Sequence, residues 1–230
     1  MYFGMFDPTI IILIPAIIFA VYAQSKVSRA YRKYSRIANR RGMTGYQAAR
    51  MILDSNGLAH VPAGRLTDHY DPSRDVMRLS SQVYNGTSIA SVSIAAHESG
   101  HAIQDGTSYG FLRFRNAIAP VVSLISTASW PLLLIGLIII WQGNAATGNF
   151  LFDLGIIFFS AVVLFHTVTL PVEFNASSRA IKQLVSLGII DEAEMRGAKK
   201  VLSAAAMTYV AALATSVANL IRILMIRGRN

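Results

Sequence analysis

The chain has 230 residues, 53% hydrophobic and only 14% charged, with a formal net charge of +9 and no cysteine. That balance excludes an ordinary soluble domain and points to a membrane protein, while the missing cysteines exclude a disulfide framework and a thiolate metal site. The positive charge does not indicate nucleic-acid binding, because the basic residues crowd directly behind the first apolar run, where the flank of a membrane span belongs.

Residues Thr9 to Ala23 carry no charge and, with Met5, Phe6 and Gln24, approach spanning length; Pro15 predicts a kink. No Lys or Arg precedes Lys26, so the basic start of a cleavable signal is missing and residues 1–25 read as an uncleaved transmembrane anchor. Lys26, Arg29, Arg32, Lys33, Arg36, Arg40 and Arg41 follow without an acid, which puts the N-terminus outside and the next segment in the cytoplasm. The same stretch also reads as a basic helix on anionic headgroups.

A juxtamembrane cytoplasmic domain is expected over 26–115. Thr44 and Gln47 have the spacing of a capping box opening a helix from Tyr46 to Ser55, with Gly57 to end it. Extended runs at Gly64–Tyr70 and Val76–Leu79, split by the turn-forming Asp71-Pro72-Ser73-Arg74-Asp75, predict a hairpin, a candidate cradle for an extended peptide. After the loop Tyr84-Asn85-Gly86-Thr87 comes a helix from Ser88 to Asp105, with Gly106 as its expected stop.

That helix holds the stretch with a specified chemistry, His97-Glu98-Ser99-Gly100-His101. Two histidines four residues apart project from one face, close enough to bind one zinc ion. Glu98 beside them can take a proton from an attacking water and return it to a leaving amine. Random placement of the chain's histidines and glutamates gives about 0.002 such motifs, so chance does not account for it. Ser91, Ser93 and the Asn-Gly loop interrupt the approach to His97, so the site belongs beside the membrane rather than inside it.

Asn116 to Gln142 is free of charge and long enough for a second span; Gln142 to Asn149 is a polar exit without a base, and Phe150 to Leu170 returns as a third, making 116–170 a transmembrane hairpin. Two spans return the chain to the side it left, which makes Glu173, just past Pro171 at the expected start of a helix, the candidate third ligand. Asp7 and Asp153 fall on the far side, and Asp191, Glu192 and Glu194 look like the solvated start of a helix. In the remaining segment, 171–230, Val201 to Ile221 is apolar enough for a fourth span, although crossing would leave Arg222, Arg227 and Arg229 outside; a helix along the membrane face is the alternative. His166, Asn175 and Arg179 are reserve candidates for outer-sphere or transition-state roles.

Three stretches together, Leu66-Thr67-Asp68-His69-Tyr70-Asp71-Pro72, Ala95 to Gln104 and Leu170-Pro171-Val172-Glu173-Phe174-Asn175-Ala176-Ser177, resemble the YugP-like membrane zinc metallopeptidases. More distantly, Glu173-x-x-Ala176 is similar to the E-x-x-A-D element of HtpX-type and prenyl-protease gluzincins; Ser177 stands where those carry Asp, and no orienting role is assigned to it. The resemblance implies a mainly α, multi-pass membrane protein with three or four transmembrane helices and a small α+β zincin-like catalytic domain. It implies a membrane-embedded zinc endopeptidase and carries no substrate. The leading expectation from the residues is hydrolysis of membrane-associated or membrane-proximal polypeptides at the cell membrane, with lipid, a membrane adaptor or a second copy of the chain as partners and no nucleic acid. The competing expectation is a non-catalytic scaffold or adaptor that retains the zinc site.

Overall fold

A computed structural model describes residues 8–228; Met5, Phe6, Asp7 and Arg229 lie outside the described residues. Seven α-helices and three short strands account for most of it. A 3-10 turn at Pro8–Ile12 leads into α1 (Leu13–Tyr34), followed by α2 (Gly45–Ser55), β1 (Ala63–Arg65), β2 (His69–Asp71), β3 (Val76–Leu79), α3 (Ser81–Asn85) and α4 (Ile89–Gly106). The long helices α5 (Gly110–Trp141), α6 (Ala145–Ser186) and α7 (Glu192–Arg227) complete the chain. Four helical stretches are long and apolar enough to cross a membrane: Pro8–Tyr34, α5, α6 and α7. The protein is mainly α with membrane helices.

The contacts divide the chain into two compact units. Among the described residues, one gathers 8–22, 114–169 and 209–228, and the other 23–113 and 170–208. In the first, Ile11, Ile18, Leu124 and Ile157 are exposed, while Leu133, Phe152, Phe159 and Ile223 form a small core. Apolar side chains turned outward have a favourable solvent only in lipid. Gly136, Gly148 and Gly155 let α5 and α6 approach closely, since a Cβ at Gly148 would meet the Gly136 carbonyl oxygen at 2.7 Å.

The second unit has a conventional hydrophobic core. Thr44 and Gln47 form the complete capping box, and α2 buries Ala48, Ala49, Ile52 and Leu53, a helical stripe facing α4. Met77 and Leu79 of β3, Val92 of α4, Leu184 of α6 and Val201 of α7 fill the same core. Each such side chain contributes about 1.5–3 kcal/mol when fully buried.

Several expectations are corrected. The predicted hairpin is one part of a three-stranded sheet ordered β1-β3-β2, antiparallel between β2 and β3 but parallel between β1 and β3. The expected single run at 64–70 breaks because the Asp68 carboxylate accepts hydrogen bonds from Ser80 N–H (2.6 Å) and Ser80 Oγ (3.0 Å), holding residues 66–68 across the exit of β3. Ser80 also caps α3, a short helix within the expected loop. The motif helix does end at Gly106, as expected, but the left-handed residue is Ser108 (φ 53°), and a Cβ at Gly106 would lie 3.0 Å from Leu58. Close packing, not a turn, accounts for glycine there.

Pro15 sits where the 3-10 turn Pro8–Ile12 passes into α1. Pro171 is interior to α6 rather than near a helix start, so the third span and the Glu173 segment are one 42-residue helix. The polar exit shrinks to residues 142–144, with Gly143 left-handed at φ 91°. Residues 192–200 and the apolar 201–221 likewise form one helix, α7. Its start is not a solvated acidic cluster, because Glu194 is buried and reciprocally capped with Asp191. Glu194 also accepts the Arg40 N–H at 2.8 Å.

At the entry to α2, a Cβ on Gly45 would lie 2.2 Å from the Val83 carbonyl oxygen, inside a buried backbone contact that cannot move aside. Gly45→Ala is expected to lower stability by about 1–3 kcal/mol, measured as a reduced unfolding midpoint of the purified protein in detergent.

Candidate metal centre and active site

The site is built where α4 meets α6. Ser88 caps α4 by accepting the Ser91 N–H at 3.0 Å, and the helix then presents His97 and His101 on one face. Gly100 lies between them, and a Cβ there would stand 2.6 Å from the Ala176 carbonyl oxygen of α6. This close approach brings Glu173, one turn before Ala176, to the histidines. His97 Nε2 is 3.2 Å and His101 Nε2 3.7 Å from Glu173 Oε2, and one donor atom from each residue falls within 4.8 Å of the others. His101 and Glu173 are buried and His97 nearly so. Two imidazole nitrogens and one carboxylate oxygen fit zinc, leaving a position open for a reacting group.

A line of hydrogen bonds orients His101. Its Nδ1 lies 3.0 Å from Gln104 Oε1, while Gln104 Nε2 donates to the Val172 carbonyl (2.8 Å) and to Asn175 Oδ1 (3.0 Å). Because the Gln104 amide nitrogen is occupied in this way, its oxygen accepts, so His101 carries its proton on Nδ1 and keeps the Nε2 lone pair free for a metal ion. Arg179 Nε donates to the same Asn175 oxygen at 2.8 Å. On the other histidine, Ser177 Oγ stands 3.2 Å from His97 Nδ1. Both histidines are therefore held from behind by neutral groups.

Glu98 is buried next to this set. Burial pushes its carboxyl up to about 7, with Glu173 and Asp68 adding repulsion, while His97 and the Tyr70 main-chain N–H hold it back. Tyr70, on β2, is itself tied down: its hydroxyl lies 2.8 Å from Asp75 Oδ1 and 2.9 Å from Asp105 Oδ2. Burial, then these two carboxylates, push the phenol well above its usual range. A carboxyl near 7 can both accept and release a proton around neutrality.

Of the residues singled out from sequence, His97, Glu98, His101 and Glu173 come together, and Asn175 and Arg179 stand one step behind through Gln104. His166 belongs to the other unit, where its Nδ1 lies 3.1 Å from Ser216 Oγ. Sequence reasoning missed Gln104, Tyr70 and Ser177. Ser177 lies one turn beyond Glu173 on the same helix, so the i+4 spacing could have supplied the signal.

Replacing Gln104 with Leu removes the acceptor for His101 and the donor shared by the Val172 carbonyl and Asn175 Oδ1. Zinc affinity is expected to fall roughly 10- to 100-fold, read by competition with a chromogenic chelator. Arg179→Gln, which leaves the Gln104 bonds in place, should change it far less.

The sequence model of the family described as "putative neutral zinc metallopeptidase" matches residues 9–228. The chain is 49% identical over 221 residues to "Putative membrane protease YugP" of Bacillus subtilis (strain 168), covering 94% of this chain and 95% of that protein. No solved structure matches. With a match along almost its whole length and a relative at this identity, the chain belongs to this zinc metallopeptidase family.

Proposed function

We propose that the protein is a membrane-embedded zinc endopeptidase that hydrolyses membrane-associated or membrane-proximal polypeptides, with His97, His101 and Glu173 holding the ion and Glu98 moving the proton. The observation that carries this is the convergence of those three donors beside a buried carboxyl poised near neutrality. Zinc in such a set supplies Lewis acidity, polarising a carbonyl and acidifying an attacking water. Glu98 in its carboxylate form takes the proton from that water and delivers it to the departing amine, so one side chain serves as base and then acid. The Tyr70 N–H keeps the carboxyl aimed, and Gln104 and Ser177 keep both imidazoles in register.

The catalytic unit is assigned to the cytoplasm and the N-terminus to the outside of the cell membrane. Supporting this are the basic stretch after the first apolar run and the short loop 142–144 without a base. The basic C-terminal end of α7 runs against the charge rule, but Arg227 is paired with Asp153 of α6 at 2.6 and 3.0 Å, which offsets one of its charges.

Glu98→Gln is nearly isosteric and leaves the donors untouched. It should retain stoichiometric zinc while hydrolysis of membrane-protein-derived peptides falls on the order of 100- to 10,000-fold. Unchanged turnover would reject the peptidase reading in favour of a zinc-holding scaffold. Sidedness is tested with single cysteines, since the parent has none. Cysteines at the exposed positions Ser73 and Ser186 should resist an impermeant thiol reagent in intact cells, and one at Ala145 should react.

A further inference from the structure

The helix α1 continues past its apolar run as a basic rod. Between Asp7 and Asp54 the sequence has no acidic residue. Some of the cations here are engaged: Arg40 pairs with Asp191, Arg41 donates to the Leu187 and Gly188 carbonyls, and Lys26 reaches Met207 Sδ. Arg29, Arg32 and Arg36 are exposed and have no acidic partner among the described residues. Their three- and four-residue steps put them on one side of α1 and its following turn.

Beside Arg36 opens a groove of about 520 Å³, a size suited to a small polar molecule. Tyr31 and Ser35 line it from the α1 side, and Gln82, Thr87 and Ser88 from the segment that leads into α4. The Tyr31 hydroxyl donates to Gln82 Oε1 at 3.0 Å and joins the two walls. Hydroxyls, an amide and a guanidinium line this space, with no carboxylate among its lining residues.

We propose that this groove, with Arg29, Arg32 and Arg36, binds the headgroup of an anionic phospholipid. The phosphate meets the guanidinium, whose fork matches phosphate geometry, and headgroup hydroxyls meet the polar walls. A lipid is favoured over a soluble anion by position along one helix. Ile10 to Tyr22 are largely exposed and apolar; counted from Pro8 at 1.5 Å per residue, about 20 residues cross a ~30 Å hydrocarbon core and end near Val27, so Arg29 and Arg32 fall in the headgroup layer and Arg36 just outside it. Three unpaired cations beside that layer meet a surface of opposite charge.

The test uses the purified full-length protein in nonionic detergent, titrated with dioleoylphosphatidylglycerol, dioleoylphosphatidylcholine or glycerol 3-phosphate and read by native mass spectrometry. Phosphatidylglycerol should be retained in preference to phosphatidylcholine. Arg36→Gln should weaken its binding about five-fold, the factor one basic side chain contributes near an anionic surface, at an unchanged unfolding midpoint. Arg74→Gln, which removes an exposed cation away from the groove, should leave binding as it was. Retention by Arg36→Gln equal to the parent would overturn the proposal, as would an equal loss in Arg74→Gln. Displacement of phosphatidylglycerol by equimolar glycerol 3-phosphate would make the occupant a soluble anion and also overturn it.

Discussion

The geometry of the centre depends on the contact between α4 and α6 at Gly100 and Ala176. Ordinary helix packing holds axes 8–10 Å apart, a distance set by the side chains at the crossing. With glycine opposite alanine the two backbones close in, and donors on either side of the crossing reach one another: His97 and His101 flank Gly100, while Glu173 and Ser177 flank Ala176. Any larger residue at 100 would separate the three donors as well as the helices. Backbone proximity thus has a chemical role here beyond stability.

Around this crossing the polar groups form two separate supports. Gln104, Val172 and Asn175 hold one imidazole, and Ser177 holds the other. A carboxylate behind either histidine would add negative charge to a site that already contains Glu173 and Glu98, further opposing ionisation of the base. Neutral supports orient without that penalty. Glu98 is steadied from a different direction, by a main-chain N–H of the sheet, so Glu98 and the three donors do not share a support.

Much of this was legible before the structure, for reasons that are local. The i, i+4 histidines, the capping box of α2 and the apolar runs of the spanning helices each depend on neighbours within a turn or two. Glu173 was found by a parity argument about membrane crossings, which needs no side-chain geometry. What escaped notice depends on atoms far apart in sequence. The parallel pairing of β1 with β3 goes with Asp68 reaching Ser80, and the buried Glu194 goes with the Arg40 N–H lying at its helix start. Prolines misled in one direction: Pro171 marks a break only if its neighbours cannot absorb a missing hydrogen bond, and in a long helix with packed flanks they can.

The continuity of α6 has a mechanical meaning. A ligand on a loop would be positioned by the ion itself and would wander when the ion left. Glu173 instead rides in the interior of a helix whose turns on either side are hydrogen-bonded, and its partners ride on another. The conformational entropy of assembling the donors is therefore lost when the chain folds, not when the metal arrives. Such a set of donors is preorganised: for the zinc ion proposed above, exchange would be a matter of access and donor protonation, uncoupled from refolding.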